Sequence, residues 1–168
     1  MKRIFIISII LMLCSCTTNN KAGVNDMNSL SKLMERVNAQ GDINDPDTPR
    51  PLVTLEEFFE GNNDYGSIGY NFYPDQPSPS EFYEVFRSIA SKPEVFDVRV
   101  EVQDQIDSED WPSTDTIWII TSVGSDEIDP WLGERFRGDD YIVGFPDSYP
   151  IEDYEIPDGM KAIGVWWD

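Results

Sequence analysis

The stretch SPSEFYEVFRSIASKPEVFDVRVEVQ, residues 78–103, carries both periodicities of the fold side by side. Ser78-Pro79-Ser80-Glu81 reads as a capping box with proline at the first helical position. Phe82, Val85, Phe86, Ile89 and Ala90 then recur at helical spacing until Pro93 stops the run. Beyond Pro93 the period falls to two: Val98, Val100 and Val102 point one way, Asp97, Arg99 and Glu101 the other. A helix followed by a half-exposed strand over 95–103 is the expectation.

Working upstream, Thr54-Leu55-Glu56-Glu57 forms a second capping box, and Gly61 supplies a left-handed stop. One short helix fits between them, with Leu55, Phe58 and Phe59 inward. Ser67 to Tyr73 reads as a strand, in which Gly69, with Gly66 just before it, allows a bulge or a close backbone approach. Downstream, Thr116 to Thr121 is apolar on both faces and suits a central strand. Ile128, Trp131, Leu132, Arg135 and Phe136 mark a further amphipathic helix, with Pro130 placing its start at about Asp129. Met160 to Trp167 closes the chain as a strand. From Ser67 onward the order is βαββαβ, so the expected fold class is α+β: a ferredoxin-like split βαβ antiparallel sheet packed by two helices, with an extra short N-terminal helix. In that topology the second strand is an edge, which agrees with its alternating charges. The fourth is an edge too, and Val165, Trp166 and Trp167 on it call for cover. Residues 138–159 are long enough to supply it, as a loop or with an additional strand over Tyr141 to Phe145.

The chain opens with Lys2 and Arg3, an apolar run from Ile4 to Leu13 broken by Ser8, and then Leu13-Cys14-Ser15-Cys16. A run of this length is too short for a permanent membrane span and has the form of an export signal. The four residues ending at Cys16 resemble the lipobox of bacterial lipoproteins, with an apolar residue three positions before the modified cysteine and a small one directly before it. Cys14 at the second position departs from the usual small or branched residue. The resemblance implies cleavage before Cys16, diacylglycerol on its thiol, and a place in the bacterial cell envelope outside the cytoplasm. An ordinary signal peptide with incidental cysteines is the alternative. The organisation expected is a signal over 1–15, a flexible tether over 16–51 and a single acidic domain over 52–168. Asn19, Asn20, Asn25, Asn28 and Asn44, then Asp45-Pro46-Asp47-Thr48-Pro49, give the tether its character, with a short helix over Leu30 to Val37 interrupting it.

Removing the signal leaves ten Lys and Arg against thirty-two Asp and Glu. None of the remaining cations clusters, so nucleic acid is not an expected partner, and the membrane contact expected is the lipid on Cys16 alone. The sequence has no histidine, and after cleavage and acylation no free thiol. Disulfides, a cysteine nucleophile, zinc held by nitrogen or sulfur, and imidazole-based triads are thereby set aside, and no cofactor is expected.

Asp104, Asp107, Glu109, Asp110 and Asp115 gather carboxylates around Trp111 and Pro112. Oxygen ligands suit calcium, but the spacing is not that of an EF-hand loop and a solvated hairpin loop is the favoured reading. A glycosidase pair of carboxylates would be an arbitrary choice among thirty-two. Ser29-Leu30-Ser31-Lys32 has the serine-to-lysine spacing of some acylating enzymes, without their companion motifs. The aromatics are the better lead: Trp111, Trp166 and Trp167 with Asp107, Glu109 and Asp110 make a candidate interaction surface, apolar at its centre and charged at its rim. Against this stands the ordinary role of aromatics as core, and Trp166 and Trp167 must face opposite sides of their strand.

Glu57-Phe58-Phe59-Glu60-Gly61-Asn62, Gly66-Ser67-Ile68-Gly69, Phe82-Tyr83-Glu84-Val85 and Val165-Trp166-Trp167-Asp168 resemble a family of small acidic bacterial proteins with no assigned activity. The compact acidic character is also similar to that of immunity proteins, which neutralise toxins by binding. These likenesses imply a tethered binding module that recognises a cationic protein. A small envelope hydrolase using Asp or Glu, and a structural envelope lipoprotein, are the alternatives.

Overall fold

The computed structural model describes residues 20–168 apart from Tyr73, Ile106 and Ser108, with side chains from residue 27 onward. The signal and Cys16 lie outside the described residues. Helix α1 spans Asn20–Asn38, strand β1 Leu52–Thr54, helix α2 Leu55–Phe59 and helix α3 Pro79–Ala90. Strands β2 (Val95–Glu101) and β3 (Thr116–Thr121), helix α4 (Ser125–Phe136) and strands β4 (Asp140–Val143) and β5 (Lys161–Trp166) follow.

The locally encoded parts form as their sequences dictate. At the start of α3 the Glu81 amide donates to Ser78 Oγ at 3.3 Å and the Ser78 amide donates to Glu81 Oε2 at 2.8 Å. Phe82, Phe86 and Ile89 are buried beneath the helix. The box at α2 is likewise closed in both directions, between Thr54 and Glu57, and Gly61 beyond it has φ 86°. Replacing Ser78 by alanine removes the acceptor for the Glu81 amide and is expected to cost about 1 kcal/mol. Denaturant titration of the two proteins, with an unchanged m-value, measures that difference.

The sheet is five-stranded and antiparallel, in the order β1-β2-β3-β5-β4. Here the expected ferredoxin-like order gives way. The strand expected over Ser67 to Tyr73 does not form across its described residues, Ser67 to Phe72: Ile68 makes an isolated parallel bridge to Thr114, and the surrounding residues form turns. The Asp64 carboxylate takes the Gly66 amide, and Gly69, at φ 64°, lets the backbone press onto α3, where a Cβ would sit 2.8 Å from Phe82 Cζ. With no strand there to come between them, β5 pairs with β3 directly, from Thr116↔Trp166 to Thr121↔Lys161. Nor is β2 an edge over its second half, because β1 pairs with Arg99, Val100 and Glu101. The edges are short. β1 has three residues and is flanked by the 150–152 segment through an Arg50↔Ile151 bridge, while β4 has four, beginning with the exposed Asp140.

One face of the sheet carries Val53, Val98, Val100, Ile117, Ile119, Ile163 and Val165, which join the helices in the main core. The other carries Leu52, Trp118, Ile120 and Ala162, and residues 142–160 cover it with Ile142, Phe145, Ile151, Tyr154, Ile156 and Met160. The long segment therefore shields the second face and also supplies β4 against β5, one residue off the expected start.

Two further expectations need correction. The stretch expected to be a flexible tether over 16–51 is, from Asn20, a nineteen-residue helix followed by fixed turns. Leu33, Val37 and Ile43 belong to the main core, so the packed body begins well before Leu52. The apolar spacing at Leu30, Leu33, Met34 and Val37 is enough to dock α1, and Asp42 and Asp45 close their turns by accepting from the amides of Asn44 and Asp47. In turn α4 starts at Ser125 rather than Asp129, since Pro130 is accommodated within it, and its break comes at Gly133, φ 67°.

Candidate functional site

The face that the sequence presents as solvent-facing on β2 holds the most constrained polar group. Glu101 is fully buried. Its Oε2 accepts from Trp118 Nε1 at 2.7 Å across the strand pair, and its Oε1 accepts from Arg50 Nη1 at 2.7 Å. The Arg50 guanidinium lies 3.9 Å from the centroid of the Tyr149 ring. Farther along β2, Asp97 Oδ2 accepts from Arg99 Nε and from Tyr154 Oη, both at 2.7 Å. Glu152 draws α1 and β1 together: both its oxygens accept from Arg36 Nη2, at 2.7 and 2.6 Å, and the Leu52 amide donates to Oε2 at 2.9 Å. Tyr149, Glu152 and Tyr154 thereby tie the 145–156 cover to the sheet and to α1. With both oxygens of Glu101 held by donors, the group is a structural anchor.

Burial, then the charge of Glu101, raises the Tyr149 phenol well above its ordinary range. Burial and a bond to Asp97 push Tyr154 up to about 12, and burial with a bond to Asp129 raises Tyr141 as well. A tyrosine with a raised folded pKa keeps its proton longer in the folded state. Stability is therefore intact below the ordinary value of 10.0 and is lost as pH rises through the folded values. Unfolding free energy is expected to fall between pH 10 and about 12, and to fall less steeply in Tyr154→Phe. Denaturant titrations across that range with parallel phenolate absorbance provide the check.

The residues singled out in the acidic loop form a different place. The described residues of 103–113 close as a hairpin, the Ser113 amide donating to the Asp104 carbonyl at 2.8 Å and the Gln103 amide to the Ser113 carbonyl at 2.9 Å. Glu109 and Asp110 are exposed at its tip, while Trp111 turns inward and is only 8% exposed. Across from them, the turn after α2 is fixed by the buried Asn62, whose Nδ2 donates to Ser67 Oγ at 2.9 Å. That turn aims Asp64 at the hairpin, where its Oδ2 accepts from the Trp111 amide at 3.3 Å. Between α1, this turn and the hairpin lies a groove of about 350 Å³, lined by Met27, Leu30, Asp64, Glu109, Asp110 and Trp111 among others. A second groove of about 660 Å³ runs along the other flank of α1, past Lys32, Glu56, Glu57 and Glu60, and the two meet at Gly61.

Of the candidate interaction surface, the structure thus brings together Glu109, Asp110 and Trp111. Asp107 stays exposed and accepts from the Glu109 amide at 3.2 Å. Trp167 does not belong to a surface: it is 4% exposed and packs edge-on against Phe82 and Phe86 in the core. Trp166 is half-buried and donates through Nε1 to Asp115 at 3.1 Å. Asp64, Met27 and Leu30 were not singled out by the sequence, because they approach the hairpin only through the docking of α1 and the 62–67 turn. Glu101 had one signal: a tryptophan in a strand apolar on both faces needs an acceptor for its indole N–H.

Charge distribution sets the character of the surface. All six arginines of the described residues are engaged in ion pairs: Arg36, Arg50, Arg87, Arg99, Arg135 and Arg137. None of these pairs includes Asp64, Glu109 or Asp110. Among the described residues no group of three or more His, Cys, Asp or Glu is arranged to hold a metal ion, the acidic hairpin included.

Residues 28–165 match the family described as the uncharacterized protein YfbO family. The chain belongs to the YfbO family. It is 39% identical over 142 residues to an uncharacterized protein YfbO of Escherichia coli (strain K12), an alignment that covers 84% of this chain and all of that protein. No solved structure matches the chain. The YfbO match begins at Asn28, within α1, so the helix from there on and the turns after it lie inside the family's span together with the sheet, in keeping with the place of Leu33, Val37 and Ile43 in the core. Both grooves along α1 fall within the YfbO match but for Met27.

Proposed function

We propose that this member of the YfbO family is an envelope lipoprotein, held to a membrane by lipid on Cys16, whose acidic body binds a cationic protein in the manner of immunity proteins. The observation that carries the reading is the excess of thirty-two Asp and Glu over ten Lys and Arg beyond the signal, with every described arginine already engaged in an ion pair within the chain. Such a surface speeds encounter with a basic partner and repels nucleic acid. None of the described helices is long and apolar enough to cross a membrane, so attachment would rest on the acyl group. The charge of the acidic body would oppose contact with anionic headgroups.

Labelling cells with an alkyne fatty acid tests the anchor: the wild-type chain should take the label into the membrane fraction, and Cys16→Ser should not. For recognition, the cationic products of adjacent genes are titrated by calorimetry. Binding that weakens as salt is raised is the expected result. An unlabelled chain in the soluble fraction, or no association with any such product, would overturn the respective half.

A further inference from the structure

Of the eleven glycines in the chain only Gly159 follows an aspartate or an asparagine, and the fold places that step on its surface. Asp158 and Gly159 are both exposed, in the turn between the covering segment and β5. The Met160 amide donates to the Pro157 carbonyl at 3.0 Å and closes the turn, with Gly159 at φ 80°. The Gly159 amide itself has no acceptor among the described residues. Nor does any atom lie within 4 Å of the point where a Gly159 side chain would begin.

These conditions suit one reaction. The Gly159 nitrogen and the side-chain carboxyl carbon of Asp158 belong to adjoining residues, so a bond between them closes a succinimide ring by intramolecular attack. A side chain on the following residue would crowd that nitrogen, and glycine has none. The nitrogen bonds to Cγ of the protonated carboxyl, the Cγ–OH bond breaks, and the hydroxyl leaves as water with the amide proton. Water then opens the ring. Addition at Cγ restores aspartate. Addition at the main-chain carbonyl breaks its bond to nitrogen and returns a proton there, leaving the chain to run through Cβ and Cγ beside a free α-carboxylate. Ring closure needs rotation about the Asp158 Cα–C bond, and an exposed turn closed by one hydrogen bond opens at little cost. We propose that Asp158 is a site of spontaneous isomerisation to isoaspartate. The extra methylene would fall between the cover and β5, where the turn has open space to take it up.

For the test, the full chain in zwitterionic detergent is aged in mildly acidic buffer, where the carboxyl keeps more of its proton. It is then digested and read by electron-transfer fragmentation, which separates the two linkages. Isoaspartate should accumulate at residue 158 about tenfold faster than at Asp147, an exposed aspartate followed by serine. In Asp158→Glu, whose ring would be larger, the product should vanish from this position. Isoaspartyl methyltransferase with a labelled sulfonium methyl donor gives a second reading, in which the aged wild type takes up label and the variant loses most of it. An aged chain without isoaspartate at 158, or with no more there than at Asp147, would overturn the proposal. Methyl uptake undiminished in Asp158→Glu would do so as well.

Discussion

Truncating Glu101 to alanine is expected to remove about 3–5 kcal/mol of stability, the cost typical of breaking a buried ion pair by deleting one partner. The carboxylate is fully buried between β2, β3 and the covering segment. Its loss strands the Trp118 indole N–H in the interior and leaves Arg50, only partly exposed, without its counter-charge. Against a total of about 5–15 kcal/mol for a domain, this is a large share. Glu101→Gln should cost less, because an amide oxygen still accepts from Trp118, though its NH2 then meets the Arg50 donors. The paired replacement Glu101→Leu with Arg50→Met should recover part of the loss, since it removes the charges together. Denaturant melts of the wild type and the three variants rank these losses, and a Glu101→Ala loss under about 1 kcal/mol would mean that water reaches the site.

Gly164→Ala is the second large effect, and it acts on the same tryptophan from the opposite side. Gly164 faces Trp118 across β3 and β5, and a Cβ there would lie 2.9, 3.0 and 3.1 Å from three carbons of the indole ring. The ring has little freedom to yield. Its nitrogen is held by Glu101, and the edge of Phe145 meets it with centroids 4.8 Å apart. Overpacking of this kind costs about 1–3 kcal/mol and more when neighbours are fixed, so a loss near about 3 kcal/mol is expected, with valine worse. Trp118→Phe should relieve the clash. The double variant would then be less damaged than the sum of the single changes, a coupling that a thermal or denaturant cycle measures.

How far the chain announces this arrangement depends on the range of the interactions. The two capping boxes, at Thr54 and Ser78, were fully legible because each is closed within four residues. The strands over Val95–Glu101, Thr116–Thr121 and Lys161–Trp166 were legible from their apolar patterns. The topology was not, because it turned on Ser67 to Tyr73. Those residues have strand-like composition, but Asp64 and Gly69 bend Ser67 to Phe72 into turns, and only the absence of a ladder partner decides between the two. The polar face of β2 misled in a similar way. Asp97, Arg99 and Glu101 read as solvated, yet the 142–160 segment folds over them, and Tyr154, Arg50 and Trp118 arrive from other elements. The segment before Leu52 looked like a tether because polar residues dominate it, while its few apolar ones, Leu33 and Val37 above all, suffice to bury one stripe of α1. At the candidate site Glu109, Asp110 and Trp111 could be named from their cluster, whereas Asp64 and Met27 depend on tertiary docking.

The brevity of the outermost strands has a consequence for molecules crowded onto a surface. One rim of the sheet ends in three residues backed by the 150–152 segment, and the other in four that begin with an aspartate. Neither offers a run of free amides long enough to recruit a neighbouring copy. Copies of the chain at high concentration would accordingly slide past one another without seeding filaments.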